Sequence, residues 1–569
     1  MTSAHPTPGG PTLCLELPAA LARLAEPRDT HGRALRDAVA HGLGAVMSAL
    51  GIPGRAQVDL SVRPGNARAP AQALRASLDG TVLRYPDELL VQIHSHVREQ
   101  PLDARVTPAA IVEWLQERCA TPGEPPAHGA AVEFLALLCV EVVKRHPALL
   151  FGPAQACAYA DALASVSARG PCDPQWLRSV LAPVLAQRIS IADRAKVAAV
   201  LDGERAAEAP DDSVVESLID ALCPDVVEIR ASTSFLRAFT VAWEHEGPEM
   251  FPFLREGMFE ELGLRYPPLR FVASDDVKAG CFAFTVNHLE SLPLRSLRPD
   301  QCLVNELADR LRQDGVEAIE TLNPATFLPN SIVAAATALP PGLTTWNPFQ
   351  HLVLCLAELL RRDGWCLFTR RQARGQLEAL AGPFPRLVQA ARARGSDERL
   401  TRLLRDLLRE RVCVKNLRAI LEHGLDVALA AAQTAPAGAG RAAPPDDVLA
   451  CVRIGLAGQI ADKAAASAAT VVVYLLDEEI ERLAAGPSVE PLDRRADDIL
   501  DAIRRAASRL PRNATVPHLL TFVDARRTLQ QLIADEFPRV SVLAHEELPP
   551  GTLLMPIERI VLDESAPAA

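Results

Sequence analysis

The stretch RLTRLLRDLLRERVCVKNLRAILEHG, residues 399–424, predicts two helices joined by a short turn. Its leucines recur at helical spacing and predict one apolar face: Leu400, Leu403, Leu404, Leu407 and Leu408. Arginines occupy the other side: Arg402, Arg405 and Arg409. The β-branched residues of 412–414 break the first helix. Asn416 is expected to cap a second helix over 417–423, which Gly424 should end.

Length and composition predict several packed domains. A chain of 569 residues is too long for one hydrophobic core, and an apolar share of 49% is ample for packed cores. The net charge of −12 argues against a general nucleic-acid binder. Residues 361–418 nevertheless hold 15 basic and 6 acidic residues. This basic segment indicates either self-association or contact with an acidic partner, or else only solvated helix faces.

Nothing in the sequence directs the chain into a membrane. The N-terminus, MTSAHPTPGG, lacks the basic and apolar regions of a signal peptide. The longest apolar runs, 134–143 and 464–476, are shorter than the ~20 residues that a membrane helix needs. The 12 cysteines form no CxxC pair and are expected to be reduced. The sequence therefore predicts a soluble, cytoplasmic protein that reaches a membrane only through a partner.

Changes of periodicity predict an α+β multidomain protein, in which two related modules, each a small α+β unit plus a helical subdomain, precede a C-terminal α/β domain. Strands are expected at 56–62, 73–82 and 89–97 in the first module, and at 470–476, 517–523 and 540–544 near the C-terminus. The expected divisions are a flexible N-terminus (1–32), the first module (33–203), a linker (204–220), a second α+β subdomain (221–345), a helical subdomain (346–433), a second linker (434–447) and the C-terminal domain (448–565).

The two modules are expected to be an internal duplication, in which 33–203 is a degenerate copy of 225–424. Residues 176–193 align with 399–416 at an offset of 223. Further upstream, 137–155 align with 354–372 at an offset of 217, and Leu50-Gly51 matches Leu262-Gly263. Chance similarity between leucine- and arginine-rich helices is the alternative. Pro183 stands where the second copy has Asp406, and it should kink or shorten the first copy's helix.

A search for catalytic motifs finds none. There is no glycine-rich phosphate loop, no HExxH and no GxSxG. His94 and His96 would share one face of the expected strand, but no third metal ligand lies at a useful spacing. The carboxylates at 477–479 and 546–547 are expected to be solvated turns or helix N-terminal charges. We therefore expect no catalytic, metal or cofactor site, and no enzyme.

Four segments resemble a known family: EELGLRYPPLRF (260–271), LLRDLLRERVCVKNLRAILEHG (403–424), VRIGLAGQIADK (452–463) and the closing segment 517–560. In the same order, they are similar to motifs in the cytoplasmic domain of the FHIPEP proteins, the export-gate family of type III secretion and flagellar export. The resemblance covers some three-fifths of the chain. The sequence departs from the family in two ways: a first module copy stands where the family has its membrane gate, and Val523-Asp524 replaces a serine-proline pair. The inserted subdomain that holds the family's chaperone-binding dimple is hard to locate between 297 and 346, so the dimple is not assigned to residues of this chain.

The resemblance implies a scaffold that docks secretion-system proteins, export chaperones or substrates, with a homo-oligomeric ring possible and no small-molecule substrate. The candidate partner or self-association face is Arg402, Arg405, Arg409, Glu410 and Arg411. A nucleic-acid-binding regulator that uses 403–421 as a helix-turn-helix is the alternative. The local basic charge supports that alternative, whereas the overall acidic charge and the apolar turn oppose it.

Overall fold

The computed structural model describes residues 10–26, 29–63, 74–120, 125–207, 210–434, 445–465, 470–488 and 490–562. They form two compact units, one of residues 1–254 with 266–369 and the other of 255–265 with 370–569. The fold is mixed α+β and multidomain, as predicted. Each sheet has helices packed on it, so that buried aliphatic side chains fill the layer between.

The first module contains a four-stranded sheet of β1 (Thr12–Leu17), β2 (Gln57–Val62), β3 (Arg75–Leu78) and β4 (Thr81–Leu83) in the order β2-β1-β3-β4. Strand β1 is parallel to β2 and antiparallel to β3. The helices are α1 (Ala22–Ala25), α2 (Thr30–Leu50), α3 (Asp87–Arg98), α4 (Pro108–Ala120), α5 (Pro125–Arg145), α6 (Pro153–Ala164), α7 (Pro174–Ala186), α8 (Arg194–Ala206) and α9 (Asp211–Leu222), with 3-10 turns at Ala19–Leu21 and Pro147–Leu150.

Three expectations for this module are wrong. The N-terminus is not wholly flexible, because Leu13, Leu15 and Leu17 of β1 are fully buried in the module core. Residues 89–97 form helix α3 and not a strand, since Leu89, Leu90 and Ile93 together make one buried helical face. The expected linker 204–220 is mostly helical, and helix α9 buries its apolar face in the same core.

The second module begins with strands β5 (Val227–Ala231), β6 (Leu269–Ala273), β7 (Cys281–Val286), β8 (Leu289–Glu290) and β9 (Leu294–Arg295), and helix α10 (Thr233–Leu262). A second sheet interrupts it and is called here the inserted sheet: β10 (Gln301–Val304), β11 (Ile319–Leu322), β12 (Pro329–Ala334) and β13 (Thr345–Trp346), in the antiparallel order β11-β12-β10-β13, with α11 (Ala308–Gln313). The helices α12 (Pro348–Asp363), α13 (Arg370–Ala381), α14 (Pro385–Arg394), α15 (Asp397–Arg409) and α16 (Leu417–Thr434) follow, with a 3-10 turn at Gly364–Leu367.

The two modules share one sheet topology and several equivalent helices. The sheet order β6-β5-β7-β8 repeats β2-β1-β3-β4, again with the first pairing parallel and the next antiparallel. Helices α6 and α13 have the same length at an offset of 217, as do α7 and α15 at an offset of 223. The offset changes from 217 to 223 between α13 and α15, and helix α14 lies in that segment.

The closest likeness is in backbone geometry. Gly51 and Gly263 both end a long helix with positive φ, 74° and 71°. A Cβ on either would come within 2.3 Å of a backbone nitrogen, that of Ala192 or Lys415, which lie 223 residues apart. Beside them, Ile191 N donates to the Leu50 carbonyl at 2.8 Å, and Val414 N donates to the Leu262 carbonyl at 2.9 Å. Both positions require glycine for the same steric reason.

Two helix-boundary predictions are wrong. The expected shortening of α7 at Pro183 is wrong, because α7 has the same 13 residues as α15, whereas the kink that was the other expectation stays a prediction. The proline is solvent-exposed, so its ring faces water and not the helix packing. Gly424 does not end α16, which continues to Thr434. The absent side chain lets Val452 of the next helix approach, 3.9 Å from the position of a Cβ.

The C-terminal domain is α/β, as expected. Its sheet has the order β16-β15-β14-β17, and every pairing is parallel. The elements are α17 (Pro445–Gly455), α18 (Ala457–Ala464), β14 (Thr470–Leu476), α19 (Glu478–Ala484), α20 (Glu490–Ser508), β15 (His518–Thr521), α21 (Val523–Ile533), β16 (Val542–Ala544), a 3-10 turn at His545–Glu547 and β17 (Leu553–Ile560). Most of the expected linker 434–447 lies outside the described residues.

A candidate partner-binding face on helix α15

A helix cap, an apolar face and the backbone conformation of the following turn together fix the position of helix α15. Ser396 caps the helix by accepting a hydrogen bond from Arg399 N at 3.4 Å. Leu404, Leu407 and Leu408 are buried as predicted, whereas Leu400 and Leu403 are half-buried. Arg411 then takes a positive φ of 58° and reverses the chain. Asn416 caps α16 by accepting from Ala419 N at 3.2 Å, as the sequence predicted.

The five candidate residues do not form one exposed face. Arg402 and Arg409 are exposed, and Arg411 is half-buried. Arg405 is only 7% exposed and lies on the buried side of the helix, so its predicted place on the outer face is wrong. Glu410 faces inward, toward the C-terminal domain of the same unit. Of the four candidate arginines, Arg402 and Arg409 are therefore the exposed ones.

Glu410 belongs to a buried cluster of two carboxylates and two guanidiniums, called here the buried ion cluster: Glu410, Arg453, Arg526 and Glu547. Glu410 Oε2 accepts from Arg453 Nη1 and from Arg526 Nη1, both at 2.8 Å. Glu547 accepts from Arg453 Nε at 2.6 Å and from Arg453 Nη2 at 2.7 Å. Arg526 Nε lies 3.2 Å from Glu547 Oε1. The charges balance within the cluster, as the burial of charged groups requires.

The side chains of this cluster are almost completely shielded from solvent. Glu547 is fully buried, and the side chains of Arg453 and Arg526 are 3% and 1% exposed. Burial alone would lower the pKa of Arg453, but Glu547 and then Glu410 raise it, so the guanidinium stays charged. The ion pairs of the cluster connect the end of α15 with α17, with α21 and with the turn that carries Glu547. The cluster therefore joins parts of the second unit that are far apart in sequence.

This cluster was not predicted from the sequence, although the segments that contain its residues had already been considered. Arg453 and Glu547 both lie in segments that carry the family resemblance, yet their pairing with each other was not predicted. Glu547 was expected to be solvated, and its full burial contradicts that expectation. The carboxylates of 477–479 do lie at a helix N-terminus, as predicted, with Glu478 and Glu479 in the first turn of α19.

The two histidines at 94 and 96 lie on helix α3 and not on the strand that the sequence had suggested. Because α3 is a helix, the ring of His94 packs edge-on against Trp114, with centroids 5.0 Å apart. Burial lowers the pKa of His94 to about 4, so this imidazole is neutral near pH 7. Across the described part of the chain, no group of three or more potential ligands is placed to hold a metal ion.

A cavity of about 250 Å³ is the other candidate for binding, and it lies within the first unit. The end of α3 and the residues after it form one wall, through His96, Pro101 and Leu102. Strands of the inserted sheet and the start of α12, with His351, form the opposite walls. Burial lowers the pKa of His351 to about 4, and its Nδ1 has no hydrogen-bond partner in the structure. The lining of the cavity is mixed, with somewhat more apolar than polar surface.

The FHIPEP family model matches residues 148–552, which is well over half of the chain. The chain therefore belongs to the FHIPEP family, the export-gate family of type III protein secretion. The match covers α7, α15 and the buried ion cluster. None of the helices in the described ranges is long and apolar enough to cross a membrane.

Individual relatives agree with this assignment. The hypersensitivity response secretion protein HrcV of Ralstonia nicotianae is 24% identical over 320 residues, which are 54% of this chain and 44% of HrcV. The low calcium response locus protein D of Yersinia pestis is 22% identical over 324 residues. The chain thus spans less than half the length of these relatives. The solved structure of the CdsV protein of Chlamydia pneumoniae matches at 23% identity and a TM-score of 0.52, covering 59% of this chain and 98% of CdsV.

Proposed function

We propose that this chain is a non-catalytic docking scaffold of a type III secretion-like export system and works on the cytoplasmic side of the membrane. The family match over residues 148–552 carries the proposal. Its partners are secretion-system proteins, export chaperones or substrates.

The outer side of α15 is the proposed contact surface. The buried ion cluster and the buried leucines hold the inner side of the helix, so its backbone is a rigid base for the exposed side chains. Arg402 and Arg409 are exposed there and stand two helical turns apart. A planar guanidinium binds carboxylates with two parallel hydrogen bonds, which suits an acidic partner surface.

A pull-down with the full-length chain from its native cells tests this function. The wild type is expected to retain secretion-system proteins. The double variant Arg402→Glu/Arg409→Glu should lose at least about tenfold in affinity, because both contacts become repulsive. The matched control Arg494→Glu/Arg512→Glu makes the same charge change at exposed positions on and beside α20. Recovery of no secretion component by the wild type, or equal loss in the control, would count against the proposal.

Self-association into a ring is part of the same proposal and has its own measurement. Size-exclusion chromatography with light scattering should show an oligomer whose mass falls as salt is raised, since exposed arginines lose their attraction in salt. A strict monomer at high protein concentration would remove the ring and leave partner docking to be judged by the pull-down.

The nucleic-acid alternative receives little support from α16, which would be the recognition helix. Its first exposed arginine, Arg418, pairs with Glu422 at 2.8 Å and stacks over the ring of Phe384 at 4.7 Å. These contacts engage the side chain that would have to reach a phosphate or a base edge. Electrophoretic mobility with random DNA at low salt is the test. Tight, salt-sensitive binding would contradict the docking proposal.

A further inference from the structure

The first module contacts the inserted sheet at one well-defined point. The carbonyl of Leu102, shortly after α3, accepts a hydrogen bond from Leu322 N at 3.1 Å and another from Thr321 Oγ1 at 2.7 Å. Strand β11, which holds both donors, lies at the end of the sheet order β11-β12-β10-β13. Leu102 therefore bonds to the outer edge of the inserted sheet, where a further strand would pair.

Apolar packing strengthens this contact. Leu322 is 9% exposed, and its side chain belongs to the core of the first module. Phe327, in the loop after β11, packs against the same core. On the cavity side, Pro101 and Leu102 form a wall opposite His351. The segment after α3 thus fixes the edge of the inserted sheet and also sets the width of the cavity.

The first module is anchored independently to the remainder of the second module. Arg188 Nη1 and Nη2 donate to the two carboxylate oxygens of Asp363, at 2.8 and 3.0 Å, and this pair is largely buried. Asn287 Nδ2, in the turn between β7 and β8, donates to the Gln187 carbonyl at 2.7 Å. His288 N donates to the carbonyl of Arg188 at 3.0 Å. These anchors lie in the turn between β7 and β8 and at the end of helix α12, outside the inserted sheet.

The inserted sheet itself leaves the second module after β9 and returns just before α12. An element joined to its domain through two chain crossings can rotate about them unless something else holds it. The inserted sheet also packs on α12, through Leu303, Ile332 and Leu354. We propose that the first module is a further, intramolecular clamp, which bridges the inserted sheet and the body of the second module and restrains that rotation. The clamp goes beyond the docking function, and its test requires no partner.

Hydrogen–deuterium exchange on the full-length chain measures the clamp directly. In the wild type, the amide of Leu322 should be protected. Thr321→Val removes one of the two donors to Leu102 with little change of shape, and it should speed exchange of β11 about fivefold. Thr345→Val makes the same substitution at an exposed position of β13, away from the clamp, and should leave β11 unchanged.

A second variant loosens the clamp from the other side. Pro101→Gly/Leu102→Gly frees the backbone of the clamping segment and leaves the inserted sheet intact in sequence; it should speed exchange of β11 and β12 more than that of β5 and β7. Unprotected exchange of Leu322 in the wild type would overturn the proposal. So would an equal response of β11 to Thr321→Val and Thr345→Val.

Discussion

Glu547→Gln should destabilise the second unit strongly, because it removes one charge from the buried ion cluster. The wild-type cluster is neutral, with two carboxylates facing two guanidiniums at 2.6 to 3.3 Å. The amide keeps the size of the side chain but leaves one uncompensated positive charge among Glu410, Arg453 and Arg526. Removing one partner of a buried pair costs about 3–5 kcal/mol.

The size of the second unit allows this loss of unfolding free energy to be expressed as a change in melting temperature. The second unit comprises residues 255–265 and 370–569. For a unit of about this size, 1 kcal/mol shifts the melting temperature by about 2–4 °C, so the expected decrease is about 6–20 °C. Two-state analysis of the whole chain is not valid for two units, and each unit needs its own probe.

The distribution of tryptophan supplies one such probe. All five tryptophans fall in the first unit: Trp114, Trp176, Trp243, Trp346 and Trp365. Intrinsic tryptophan fluorescence therefore follows the first unit during heating. Hydrogen exchange of β14 and β15 follows the second. We expect Glu547→Gln to speed exchange in these two strands by at least about a hundredfold.

The adjacent Glu546→Gln is the matched control. Glu546 is exposed, and its Oε2 accepts from Val523 N at 3.1 Å, a bond that the amide oxygen can keep. Its effect should stay below about 1 kcal/mol. A Glu547→Gln chain that loses less than about 1 kcal/mol in the second unit would refute the reasoning, because the cluster would then not depend on charge balance.

Three other predictions concern single groups. Gly51→Ala and Gly263→Ala should each cost at least about 2 kcal/mol in thermal unfolding, since both place a Cβ against backbone at positive φ; Gly44→Ala, in an open part of α2, should be neutral or stabilising. Asp363→Asn should destabilise the first unit by about 3 kcal/mol in tryptophan-detected unfolding, because Arg188 loses its carboxylate; a change below about 1 kcal/mol would contradict the pairing. Burial lowers the pKa of His351 in the folded chain to about 4, so on acidification the unfolded chain takes up a proton at this imidazole first. The free energy of unfolding should therefore fall by up to about 3 kcal/mol between pH 6.5 and 4. A His351→Gln chain whose free energy of unfolding falls just as steeply over this pH range would contradict the prediction.

The duplication was predictable because leucine spacing survives divergence. Val180 and Leu181 fall on Leu403 and Leu404, and all but the half-buried Leu403 are fully buried in their cores. The glycine after each long helix was also visible in the sequence. The packing reason for that glycine was not, since Ala192 and Lys415 reach it only through the fold.

Helix α3 shows where local pattern is insufficient. In LLVQIHSHV, apolar residues alternate as in a strand and also recur every three to four residues as in a helix. Tertiary packing against α4 and α5 decides in favour of the helix. Strand β1 was missed for a related reason, because a short apolar run after a glycine- and proline-rich start gives little periodicity to count.

The candidate face was predicted only in part. Helical spacing places Arg402 and Arg409 outward, but it also suggests the same for Arg405, which is buried. A buried arginine is foreseeable only when its acceptors are known, and those come from distant parts of the chain. Arg526 and Glu410, which are 116 residues apart, illustrate this: neither indicates the other in the sequence.

The turn at Arg188 gives the contact between the two modules a direction. A contact between one module's turn and the next module's helix end is one-directional, and such contacts extend without limit when every copy carries both halves. Here the first module has His146 at the place of Asp363, so it offers no carboxylate to a preceding arginine. At the other end, the carbonyl of Arg411 already accepts a hydrogen bond from Lys463 Nζ of α18. Among the described residues, the paired guanidinium and carboxylate of this contact therefore join the two modules in one direction, from the turn of the first to the helix end of the second.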